Sequence, residues 1–144
     1  MKKVLFVCSG NTCRSPMAEK VFDKIAGEHG VDASALSAGL YTDDGLPYAE
    51  NSVKALKEIG IDLAGSSRQI TSALLAECDY VFGLTYSIST ALVAAYPQFS
   101  DKIYRFPVEV PDPFGGDLIS YKRALLRITE GVTKVVDALA TGKL

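Results

Sequence analysis

Cysteine is scarce in this chain: Cys8, Cys13 and Cys78 are the only three in 144 residues. A small, odd count is poorly suited to a disulfide framework and fits a protein of the reducing cytoplasm. Long apolar runs are missing too. No stretch approaches the roughly 18 residues that a membrane span needs. The opening MKKVLFVCSG has a basic start, but its apolar run is too short for a secretion signal, and charge returns at Arg14. Positive charge is not in excess, because 15 lysines and arginines stand against 17 aspartates and glutamates. The basic stripe of a nucleic-acid binder is therefore absent. Repeats, low-complexity tracts and linkers are absent as well, so residues 1–144 read as one domain.

What is present is a regular alternation. Val4–Val7 is a short, β-branched apolar run, the pattern of a strand buried on both faces. Ser15 reads as an N-cap and Pro16 as the first helical position, followed by apolar residues at Met17, Val21, Phe22, Ile25 and Ala26. Gly30 stops that helix, and its late residue His29, the only histidine, reads as a surface residue. A second strand is expected near Ala35–Leu40, a helix from Pro47 through Ile59, and a short helix capped by Thr71. Tyr80–Leu84 and Lys102–Phe106 read as the third and fourth strands, with a Thr85-capped helix between them. The segment PVEVPDPFGGD is a loop, and Leu118 to about Leu139 is a closing amphipathic helix that Gly131 should weaken. The fold class is thus α/β: a three-layer, doubly wound, four-stranded parallel sheet with helices on both faces.

In such sheets ligands sit at the carboxyl ends of strands, beside helix N-termini. Cys8 occupies that end of the first strand. Ser9, Gly10, Asn11, Thr12 and Cys13 form a loop of little bulk, and Arg14 and Ser15 lead into the helix. Successive backbone N–H groups there make an anion nest, to which the helix dipole adds. Gly10 permits positive φ and close approach, and Asn11 is among the few other residues that tolerate it. Arg14 supplies a planar fork that matches phosphate oxygens. A cation and a helix terminus also favour the thiolate, the reactive form of cysteine. The residues therefore describe a cradle for a tetrahedral oxyanion with a sulfur nucleophile beneath it, a site for phosphoryl transfer through sulfur. Alone, Cys-x5-Arg is a weak pattern. The buried strand ahead of it and the Ser-Pro behind it give it weight.

These residues resemble the low-molecular-weight protein phosphatase family, whose loop reads Cys-x5-Arg-Ser. VLFVCSGNTCRSPMAE fits that loop almost letter for letter, and the SAG of Ser37–Gly39 and the DP of Asp112–Pro113 follow in order. The resemblance implies a four-stranded parallel sheet, no metal or other cofactor, and a cysteinyl-phosphate intermediate. It makes Cys8 the nucleophile and Arg14 the phosphoryl binder. Ser15 becomes the donor to the departing thiolate, and Asn11 the holder of the loop through Ser37. Asp112 becomes the acid that protonates the leaving group and then activates water. The implied partner is a phosphorylated protein or peptide, with inorganic phosphate as product, no nucleic acid, no membrane, and a monomeric enzyme.

Two details bear on the substrate. Thr12 stands where tyrosine-specific members carry an apolar residue, and DPFGG leaves one aromatic, Phe114, where they carry two. Both resemble the protein-arginine phosphatase branch, so phosphoarginine is the favoured substrate and phosphotyrosine its rival. Tyr41 is a second candidate for the substrate rim. Cys13, five residues from Cys8, is close enough along the loop for a reversible disulfide or is simply a small loop residue. An arsenate reductase of this fold would need two further cysteines after a later strand, and that segment carries Thr85 and no cysteine. A phosphocarrier would need neither Arg14 nor Asp112, and a non-enzymatic phosphopeptide binder is a further alternative. Family members often carry a supporting histidine near the position of Gly65. Its absence implies another support, with Ser66 and Ser67 as candidates.

Overall fold

In the computed structural model, which describes residues 1–144, the first apolar run forms strand β1, Lys2–Cys8. Helix α1 follows at Arg14–Glu28 and strand β2 at Ala33–Gly39. Helix α2 covers Glu50–Lys57, α3 Ser72–Glu77, strand β3 Tyr80–Gly83 and helix α4 Tyr86–Ala95. A 3-10 turn at Pro97–Lys102 leads into strand β4, Ile103–Arg105, and helix α5 closes the chain at Leu118–Ala140. The four strands lie in the order β2-β1-β3-β4, every neighbouring pair parallel. From β1 the chain first crosses to β2 and then returns to β3 on the other side. The carboxyl ends of β1 and β3 therefore flank the point where the winding reverses, where open α/β sheets bind ligands.

The period of two along β1 sorts its side chains between two cores. Val4, Phe6 and Cys8 join the larger one, with α1, α2 and α5 packed above them. Leu5 and Val7 join the other, against α3 and α4. Phe6 organises the first core, with its ring 5.9 Å from that of Phe106 at 88°, an edge-to-face contact of the favoured kind. This alternation also determines that the sulfur of Cys8 emerges on the α1 and α5 side.

Several boundaries differ from those expected. Ser15 is not the N-cap of α1. Cys13 takes that position and no side chain caps the helix, because the Ser15 hydroxyl is turned to the thiol of Cys8 instead. Pro47 does not open α2. It forms an isolated bridge with Ser66, the helix begins at Glu50, and Ile59 lies beyond its end, largely exposed. The fourth strand is shorter than Lys102–Phe106, since the 3-10 turn takes Lys102. Gly131 has a packing reason. A methyl group there would run into the buried ring of Phe106. His29 is exposed, as its place late in the helix suggests. No helix is long and apolar enough to cross a membrane.

Candidate active site

The loop between β1 and α1 is fastened from outside by its carbonyls. Cys8 O accepts from Leu40 N at 2.9 Å and Ser9 O from Tyr41 N at 2.9 Å. Thr12 O accepts from Ala49 N at 2.8 Å, and Cys13 O accepts from Ser52 Oγ at 3.1 Å. Across each trans peptide the next N–H is antiparallel to its carbonyl. The amides of Ser9, Gly10, Cys13 and Arg14 therefore point away from these partners, available to an anion. The end of β2 presses against the loop so closely that a Cβ on Gly39 would lie 3.0 Å from Ser9 O and 3.0 Å from the Gly10 carbonyl carbon. That contact explains the glycine of SAG.

Asn11 is the internal fastening. It is buried and is the only non-glycine residue with positive φ, at 54°. Gly10 does not share that conformation, contrary to the expectation from sequence. The short amide side chain of Asn11 makes the left-handed turn tolerable and uses its polar atoms completely. Nδ2 donates to Ser15 Oγ at 2.8 Å and to Ser37 Oγ at 3.0 Å, while Oδ1 accepts from Arg68 N at 2.8 Å. Ser15 Oγ in turn lies 2.9 Å from Cys8 Sγ, and Ser15 N approaches the same sulfur at 3.4 Å. A polar chain thus runs from Ser37 through Asn11 and Ser15 to the thiol.

Arg14, only 3% exposed, is held by Nη1 donating to Val110 O at 3.1 Å. Its Nη2 lies 3.7 Å from Asp112 Oδ2, and its buried Nε makes no hydrogen bond within the protein. A buried guanidinium N–H without a partner is costly, and an oxyanion at this place would satisfy it. Asp112 is the opposite case. Its side chain is 52% exposed, and Oδ1 accepts from Phe114 N at 3.0 Å, which braces the turn across Pro113.

Cys8, Ser9, Gly10, Thr12, Cys13, Arg14, Tyr41, Asp112 and Phe114 line one cavity of about 210 Å³. Asn11 and Ser15, both buried, lie behind it. Every residue that the sequence offers for catalysis or substrate binding is therefore in or directly behind a single hollow. Tyr41 and Phe114, each 76% exposed, stand at its mouth. Cys13 Sγ faces Tyr121 Oη at 3.4 Å, and Thr12 Oγ1 lies 3.7 Å from the same sulfur. Burial, followed by the Cys13 contact, holds the Tyr121 phenol protonated well above the ordinary tyrosine range. All three thiols are free. Cys78 belongs to the core on the face of the sheet opposite to that of Cys8. No three His, Cys, Asp or Glu side chains converge to hold a metal.

Four contributors escape sequence reasoning. The Val110 carbonyl and the Arg68 amide are backbone groups and leave no side-chain signal. Tyr121 sits in an ordinary helical pattern. Tyr48 supplies bulk where Gly65 has none: a Cβ on Gly65 would lie 3.4 Å from its ring. Burial raises the Tyr48 pKa, Glu19 adds to that, and the charges of Lys20 and Arg68 oppose it. Ser66 and Ser67 do not take this role. Ser66 is exposed, and Ser67 Oγ donates to Asp43 O and accepts from Leu46 N, bracing a neighbouring turn.

The same architecture recurs in known proteins of related sequence. The family model described as low molecular weight phosphotyrosine protein phosphatase matches residues 3–143. A protein-arginine-phosphatase of Bacillus subtilis (strain 168) is 33% identical over 127 residues, covering 83% of this chain and 85% of its own length. The structure of a YwlE arginine phosphatase mutant with a phosphorylated active-site serine superimposes with a TM-score of 0.92 at 30% identity, over 96% of this chain and 95% of that one. A low molecular weight protein tyrosine phosphatase from T. tengcongensis superimposes with a TM-score of 0.89 at 34% identity, covering 95% and 99%. With its sulfur, guanidinium and small-residue loop assembled at the end of β1, and with residues 3–143 matched, this chain belongs to the low molecular weight phosphotyrosine protein phosphatase family.

Proposed function

We propose that this phosphatase acts on phosphoarginine side chains of proteins through a phosphocysteine at Cys8. The observation that carries the mechanism is the convergence of Cys8, Arg14 and Asp112 on one small hollow, with Arg14 Nε buried and free. The thiolate of Cys8 attacks phosphorus while the bond from phosphorus to the leaving nitrogen breaks, and Asp112 gives that nitrogen its proton. Loop amides and Arg14 hold the three non-reacting phosphoryl oxygens through the transition state. In the second step the Asp112 carboxylate takes a proton from water, water oxygen bonds to phosphorus, and the electron pair of the S–P bond returns to sulfur. Ser15 Oγ, 2.9 Å away, donates to the sulfur as it leaves. Inorganic phosphate is the product. The need for a reduced sulfur fits action in the cytoplasm, as a monomer with its site on one chain.

Support for the guanidino substrate comes from Thr12 and Asp112. Thr12 places a hydroxyl on the wall of the hollow, and the half-exposed Asp112 carboxyl gives a polar guanidino group a hydrogen-bonding partner there. The name of the Bacillus relative agrees. Phosphotyrosine has its own support, since Tyr41 and Phe114 give the mouth apolar walls for a phenol ring. The test compares turnover of phosphoarginine and phosphotyrosine peptides by wild type and Thr12→Ile, with Cys8→Ser as control. Wild type should prefer phosphoarginine by about tenfold, the worth of one hydrogen bond of about 1.4 kcal/mol. The Thr12→Ile variant should reverse the preference, and Cys8→Ser should be inert. Equal preference in both active proteins removes Thr12 as the selector. Activity retained in Cys8→Ser removes the mechanism.

A further inference from the structure

A second, larger concavity of about 600 Å³ begins at the edge of the catalytic hollow. Its lining includes Pro111, Asp112, Pro113, Arg123, Leu126 and Arg127, so the two depressions meet at Asp112, the residue they share. Its outer wall is the exposed face of α5. Leu126, 72% exposed, supplies apolar contact there.

The charges on this face are unusual. The other cations of α5 have partners: Lys122 meets Glu58 at 3.0 Å, and Lys134 lies 3.9 Å from Glu130. Arg123 and Arg127 form no ion pair and no side-chain hydrogen bond. The acidic groups around the groove are largely engaged elsewhere. Asp112 is beside Arg14, Glu130 beside Lys134, and Asp117 caps α5 by accepting from Ser120, sensing Arg123 only as a neighbouring charge. Two like charges spaced i and i+4 on a helix repel and destabilise it slightly. No ion pair within the chain offsets that cost, and a bound carboxylate pair would.

We propose that this groove docks an acidic, extended segment of the phosphoprotein substrate, adjoining its phosphorylated residue. Four helical residues separate the two arginines by about 6 Å along the axis. Alternate residues of an extended strand are about 6.6 Å apart and point to the same side. The geometry therefore fits two Asp or Glu residues at positions i and i+2, each facing one guanidinium fork, with a small apolar residue against Leu126. The proposal rests on the phosphoprotein reading above for the identity of its occupant.

The experiment separates the two. A fluorescent, unphosphorylated peptide carrying Glu at alternate positions, and its Lys counterpart, are titrated against Cys8→Ser protein by anisotropy. The phosphorylated peptides and p-nitrophenyl phosphate are turned over by the active protein. Each measurement is repeated in Arg123→Glu/Arg127→Glu and in the milder Arg123→Gln/Arg127→Gln. The acidic peptide should bind about five- to tenfold tighter than the basic one, the combined worth of two exposed ion pairs. The Gln pair should abolish that preference and the Glu pair should invert it. KM for phosphopeptides should follow with kcat unchanged, and p-nitrophenyl phosphate turnover should stay at the wild-type level. Peptide binding indifferent to charge, a preference that survives both double variants, or a charge-matched RNA oligomer that binds as well as the acidic peptide would each overturn the docking assignment. Charge-dependent binding without turnover of any phosphopeptide would uphold the groove and overturn the phosphoprotein reading.

Discussion

Replacing Asn11 with alanine tests the site at its hub. Alanine removes three hydrogen bonds, to Ser15, Ser37 and the Arg68 amide, from a buried position. Each such bond contributes about 1 kcal/mol net, so their loss amounts to ~3 kcal/mol before water relieves any of the freed groups. Alanine must also hold φ near 54°, which costs an L-residue with no stabilising side chain about 1 kcal/mol. Asn11→Ala should therefore destabilise by about 3–4 kcal/mol. Asn11→Gly loses the same bonds but not the conformational term, and should be about 1 kcal/mol less damaging. The assay is urea unfolding of the three proteins, with the slope checked for constancy. Turnover should fall in both variants, because Ser15 loses the donor that aims its hydroxyl at the sulfur of Cys8. An Asn11→Ala protein within about 1 kcal/mol of wild type, or one as stable as Asn11→Gly, would refute the reasoning.

Gly131→Ala would raise helix propensity by about 1 kcal/mol yet force a methyl into the Phe106 ring, an overpacking cost of about 1–3 kcal/mol. A net loss of about 1 kcal/mol in urea unfolding is expected, and a net gain would mean that the ring moves aside freely. Cys78 gives a pH signature. Burial pushes its thiol up to about 11 from 9.0, so the folded chain keeps the proton after the unfolded chain has released it. Stability from this group is fully present below pH 9 and is lost as pH rises from there to about 11, by up to about 3 kcal/mol. Cys78→Ala should flatten that alkaline decline in urea midpoints, and an unchanged slope would rule the thiol out as its source.

The order of strands and helices and the contents of the phosphate loop were legible in one dimension. Buried parallel strands announce themselves as short apolar runs. A loop that binds an anion by its backbone needs small residues in sequence, and Cys8, Arg14 and the residues between them are local by necessity. Where local rules failed, a distant group had won the competition. Ser15 looks like a helix cap, but its hydroxyl is taken by a sulfur seven residues back and an amide four residues back. Pro47 looks like a helix start, but its backbone pairs with Ser66. Gly131 looks like a weakness in α5, but it is a seat for Phe106.

The amino-acid sequence by itself determined which chemistry is available, because a nucleophile, a guanidinium and a string of amides lie within eight residues of one another. Only the tertiary structure decided how that chemistry is aimed. The grip on Arg14 comes from a carbonyl 96 positions away, and Asn11 is clamped by an amide 57 positions away. The loop that carries Asp112 to the hollow is fastened where Val110 N donates to the carbonyl of Leu84, just after β3. Such contacts depend on sheet order and on the paths of loops. Those are set by the packing of the whole chain, and a backbone amide or carbonyl at the right place can belong to any residue type.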